Sequence, residues 1–130
     1  MKKLILGASL ALLFVACSKG GGNSPDGIMQ DTLGLMNDMT ATLATIKDEA
    51  SAKAAIPKLQ DLANKGEEIK KRAEAMKTAN KLSKDDEEAL KKKYEPQLKE
   101  ATEKLMKETF RVATVPGAAD AMKAMQPKKG

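Results

Sequence analysis

"SAKAAIPKLQDLANKGEEIKKRAEAM" runs from Ser51 to Met76, and its apolar positions decide the fold. Ala52, Ala55, Leu59, Leu62, Gly66, Ile69, Ala73 and Met76 follow one another at alternating steps of three and four residues. That spacing holds one face of an α-helix, with about 3.6 residues per turn, against a neighbour. Most positions between them are Lys, Glu, Asp or Gln, side chains that stay in water. Ser51 reads as the N-cap. Pro57 either bends the helix or marks its true first turn.

The same reading extends both ways. Upstream, Ile28, Thr32, Leu35, Met39, Thr42 and Ile46 form a helical stripe, with a parallel one at Met29, Leu33, Met36 and Leu43. Asp26 reads as its N-cap, and Asp31 suits the first turns. Downstream, Ser83 and Asp86 have capping-box spacing, and Asp85, Glu87 and Glu88 crowd the positive end of a third helix. Its stripe is Leu90, Tyr94, Leu98, Ala101, Leu105 and Ala113, flanked by Met106 and Phe110. Pro96 falls inside it. Glu87–Lys91, Glu88–Lys92, Glu95–Lys99, Glu100–Lys104 and Glu103–Lys107 are i,i+4 pairs in the favourable order, so a continuous helix bent near Pro96 is expected. Val115-Pro116-Gly117 ends it. Ala118 to Met125 suits a short last helix, and residues 126–130 form a frayed tail. The fold expected is all-α: an antiparallel three-helix bundle over residues 28–125 with a short C-terminal fourth helix. Its core is thin and rich in Ala and Met, which leaves self-association open.

The N-terminus has a different character. Lys2 and Lys3 precede an apolar run, Leu4 to Val15, shorter than the ~20 residues that span a bilayer. Ala16 and the only cysteine, Cys17, follow. This is the layout of a secretory signal. Phe14 at the −3 position does not suit ordinary cleavage after Ala16. "LFVAC", Leu13 to Cys17, resembles the lipobox of bacterial lipoproteins, with Phe14 where leucine is usual. The resemblance implies that residues 1–16 are a signal peptide, that Cys17 becomes the N-terminus, and that it carries a diacylglyceryl thioether and an amide-linked acyl chain. Several chains make a firm anchor. Ser18 after the cysteine, rather than aspartate, implies the periplasmic face of an outer membrane. Residues 17–27 are then the lipidated cysteine and a flexible linker, "SKGGGNSPDG".

Composition narrows the chemistry. The 130 residues suffice for one domain, and losing Lys2 and Lys3 lowers the net charge from +5 to +3, too mild for a nucleic-acid binder. There is no His and no Trp, and the single Cys allows neither an intramolecular disulfide nor a Cys/His zinc site. Gly20 to Gly22 belong to the linker, not to a phosphate loop. The carboxylates alternate with lysines at solvent-face spacing, so no enzyme and no cofactor beyond the lipid are expected.

Several weaker leads remain. Met36/Met39 and Met122/Met125 are i,i+3 pairs whose thioethers suit Cu(I), although methionines at helical spacing are more often core filler. Lys70, Lys71 and Arg72, with Lys91, Lys92 and Lys93, form a candidate surface for anionic lipid or cell-wall polymer; Glu67, Glu68, Glu87 and Glu88 beside them favour an ordinary salt-bridged surface. The tail "PKKG" resembles the lysine-ending tail by which the small murein lipoprotein attaches to peptidoglycan. "MNDMTATLATIKDEASAKAAIPKLQDLA", Met36 to Ala63, resembles the first helical hairpin of the soluble periplasmic cytochromes b. That likeness implies a helical bundle but no haem, since the histidine ligand is missing. The reading is a lipid-anchored, non-catalytic envelope protein with a structural or interaction role and a protein or cell-wall partner. The alternative is a periplasmic carrier of a ligand or Cu(I) through methionines.

Overall fold

The computed structural model describes residues 24–79 and 83–126. The segment expected to be a signal peptide, Cys17, most of the stretch expected to be a linker and the final lysines lie outside the described residues. Four helices follow in order: α1 Pro25–Ala44, α2 Glu49–Thr78, α3 Lys84–Ala113 and α4 Ala119–Ala124. The expected antiparallel three-helix bundle with a short fourth helix is what forms.

Helix starts differ from the sequence reading in instructive ways. α1 begins at Pro25, three residues before the expected Ile28, because Ser24 caps it. The Ser24 hydroxyl accepts from the Gly27 N–H at 3.0 Å, and proline, which lacks the N–H that would go unpaired, opens the helix. Asp26 is therefore a first-turn acid, not the cap. α2 is capped by Asp48 rather than Ser51. The Asp48 carboxylate accepts from the Ser51 N–H at 2.8 Å, and the Ser51 hydroxyl accepts from the Asp48 N–H at 3.0 Å. Ser51 is thus the reciprocal partner of a capping box. At α3 the expected Ser83 cap is present, accepting from the Asp86 N–H at 3.1 Å while its hydroxyl donates to the Asp86 carboxylate.

Both long helices run through their prolines. Pro57 and Pro96 stand on exposed positions, so water can satisfy the carbonyls they leave unbonded. Pro57 is not a first turn.

α1 lies between the other two long helices and packs on both. No Cα of α2 comes within 8 Å of a Cα of α3. α4 closes one end, mainly against α2. That end holds the larger core, where Leu43, Ile46, Leu59 and Val112 are fully buried among Ala52, Ala55, Ala118 and Ala121. The alanines let the helices approach closely. The opposite end is thinner, with Ile28, Ile69 and Met76 buried and Leu35 and Ala73 beside them. Thr42 is buried too, its hydroxyl donating to the Asp38 carbonyl at 2.7 Å.

The α2 stripe matches its expected face closely: Ala52, Ala55, Leu59, Leu62, Ile69 and Met76 are all buried. The α3 stripe does not hold to its end. Tyr94, Ala101 and Val112 are the buried residues; Ala113, Met106 and Phe110 are exposed. Val112 lies seven residues beyond Leu105, almost two full turns, and so shares its face. Ala113 lies one residue further round.

Two glycines give opposite expectations. Gly117 turns the chain between α3 and α4 at φ +77°, and a Cβ there would collide with the Glu49 side chain. Gly117→Ala should lower stability by at least about 1–2 kcal/mol. Gly34 lies inside α1 with open space where a Cβ would stand. Gly34→Ala should raise stability by up to about 1 kcal/mol. Thermal unfolding of the two variants checks both signs.

Candidate functional site

Ion pairs first decide which charges belong to the fold. Arg72 of α2 donates to the Asp31 carboxylate of α1 at 2.7 Å. Lys93 of α3 donates to the Asp26 carboxylate of α1 at 2.7 Å, and its ammonium lies 5.1 Å from the centre of the Tyr94 ring. Gln30 extends this network, donating to Asp26 at 3.0 Å and to the Tyr94 hydroxyl at 3.4 Å. Arg72 and Lys93 thus tie α1 to its two neighbours; Arg72 is half-buried, whereas Lys93 remains exposed. Lys70, Lys71, Lys91 and Lys92 are exposed. Of the five expected i,i+4 pairs, Glu100–Lys104 closes, at 2.6 Å; the other four do not come within ion-pair distance.

The hydrogen bond from Lys93, with a smaller one from Tyr94, holds the Asp26 carboxyl below the usual carboxylate range. The same bond raises Lys93. A carboxylate lowered in the folded state stabilises it above its unfolded value, near 4, and loses that contribution as pH falls through the folded value. A raised lysine stabilises below its unfolded value, near 10.4, and loses it as pH rises through the folded one. The Lys93 side chain is 60% exposed and that of Asp26 41%, so the effect is small and screened by salt. Asp26→Asn is expected to flatten the acid limb of stability below about pH 4. Urea midpoints on either side of that pH, at low and high salt, check it.

A polar groove of about 660 Å³ lies over α1 between α2 and α3, with Gln30, Asn37, Lys65, Tyr94, Gln97 and Lys104 among its lining. A second cavity, about 260 Å³ and mostly apolar, opens at the thin end of the bundle. Both need residues from three helices, so spacing along the chain could not reveal them.

The methionine pairs fall elsewhere. Met36 and Met39 are half-buried on α1. Met122 and Met125 pack against the larger core. None of the four lines either cavity, and it is Met29 and Met76 that line the apolar one. Among the described residues no cluster of three His, Cys, Asp or Glu side chains is placed to hold a metal ion. No buried side-chain polar atom among them lacks a hydrogen-bond partner. Among the described residues no helix is long and apolar enough to cross a membrane.

The feature sequence periodicity misjudged most is on α3. Met106 is 51% exposed and Phe110 68% exposed, one helical turn apart. Comparison with known protein families, with curated proteins and with solved structures finds no match.

Proposed function

We propose that this chain is an envelope lipoprotein, anchored through acylated Cys17 on the periplasmic face of an outer membrane, and that it acts without catalysis as a protein-interaction module. The observation that carries the interaction role is the exposure of Phe110 beside Met106. Burial of an aromatic ring is among the largest apolar gains open to a side chain. Here alanines fill much of the core while the one phenylalanine of the described residues stands in water. Aromatic residues and methionine are enriched at protein interfaces, and Glu103 and Lys107 supply a polar rim. The anchor rests on the order Lys2-Lys3, apolar run, Ala16, Cys17. The methionine-carrier reading gains no support, because Met122 and Met125 are used in packing.

The test places a photo-crosslinking residue at position 110 of the full chain in intact cells, with the same residue at exposed position 92 as control. A discrete adduct from 110 alone, lost when Met106→Ser is added, is the expected result. Equal, diffuse crosslinking at both positions would contradict the proposed face.

A further inference from the structure

The apolar cavity lies where the first turns of α1, the last turns of α2 and the first turns of α3 meet. Pro25, Ile28, Met29, Ala73, Met76 and Leu90 make its walls, and exposed Lys77, Glu87 and Lys91 stand at its rim. We infer that this cavity shelters an acyl chain borne by Cys17 whenever the protein is out of the bilayer, an inference that rests on the lipid-anchor reading above.

Three observations converge on that occupant. The first is chemistry. The walls are hydrocarbon and thioether, and no buried polar side-chain atom of the described residues waits for a partner, so a polar ligand would lose its hydration without replacement. The rim carries both signs of charge, which favours a neutral chain over an anionic headgroup. The second is position. Pro25 is both a wall of the cavity and the first residue of α1, and Cys17 stands eight positions before it. A Gly- and Ser-rich stretch of that length reaches on the order of 16 Å. The lipid-bearing residue is therefore tethered at the end of the bundle where the cavity opens. The third is packing. The core at this end is the thin one, built on Ile28, Ile69 and Met76. In a bilayer the chain gains nothing by entering, since both surroundings are apolar. In water the gain is that of removing hydrocarbon from solvent.

The test uses the full chain from cells fed a fatty acid carrying a photoreactive diazirine. The acylated protein is irradiated once in lipid-free buffer and once in phosphatidylethanolamine–phosphatidylglycerol vesicles, and its crosslinks are mapped by mass spectrometry. In buffer, crosslinks from the Cys17 lipid to peptides bearing Met29, Met76 and Leu90 are expected; in vesicles they give way to phospholipid adducts. Ala73→Phe, which fills the cavity, should reduce the buffer crosslinks to the background of the Cys17→Ser chain. Leu90→Asn serves the same end should the larger residue disturb the helical circular dichroism. Crosslinks scattered over the surface, joined to a second copy, or unchanged in both filled and polar variants would overturn the inference alone. An intact mass with unmodified Cys17 would overturn the anchor reading as well, and is read independently of the crosslinks.

Discussion

Leu59→Ala is expected to lower the unfolding free energy by about 2–5 kcal/mol. Leu59 is fully buried in the larger core, in one cluster with Leu43 of α1 and the alanines of α4. The surrounding helices are held at both ends by caps and turns, so the space vacated would not fully collapse. Domains of this kind have only about 5–15 kcal/mol in total, and a thin core sits toward the lower end. Leu62→Ala, on the same stripe at 6% exposure, should also be strongly destabilising. Lys92→Ala, on the exposed side of α3, should stay within about 0.5 kcal/mol. Chemical denaturation of the three variants separates these outcomes. Equal and small midpoint shifts would mean that α2 presents another face to the core.

The second large effect belongs to a residue whose role no periodicity announces. Arg111, near the end of α3, donates from its two terminal nitrogens to the carbonyls of Leu43 and Ile46, each at 2.8 Å. Its Nε donates to Glu108 at 2.8 Å, which fixes the plane of the guanidinium. The Leu43 carbonyl, in the last turn of α1, accepts one turn hydrogen bond from the Ile46 N–H at 3.0 Å and has a second lone pair for the guanidinium, while Ile46 lies just past the helix, near the negative end of its dipole. One planar cation therefore joins α3 to the exit of α1. Arg111→Ala should cost about 2–3 kcal/mol, since hydrogen bonds from charged groups contribute more than neutral ones. Arg111→Lys should recover only part of this, because an ammonium cannot reproduce the fork. A loss below about 0.5 kcal/mol on Arg111→Ala would mean that water serves those carbonyls equally well.

These two residues mark what was legible in the sequence. The burial of Leu59 follows from spacing alone, because α2 presents one uninterrupted stripe to the rest of the bundle. The helix count and the short fourth helix follow in the same way. α3 was harder to read. It meets α1 along most of its length and α4 only near its end, so the last buried position shifts to Val112 and leaves Phe110 outside. A stripe in a sequence does not say where its partner stops. The caps at Ser24 and Asp48 lie two and three residues before their expected places, because several Ser and Asp side chains compete at each helix start. Arg72, Lys93 and Arg111 have the same sequence signature as solvated charges. The approach of α1 gives each of them a partner on another element. Both cavities depend on three helices at once and were not readable at all.

The central claim, a lipid anchor at Cys17, is tested most directly by metabolic labelling with radioactive fatty acid in cells making the full chain or its Cys17→Ser variant. Label on the mature wild-type protein, no label on the variant, and accumulation of the variant as uncleaved precursor are the expected results. Normal processing and membrane retention of an unlabelled Cys17→Ser protein would contradict it.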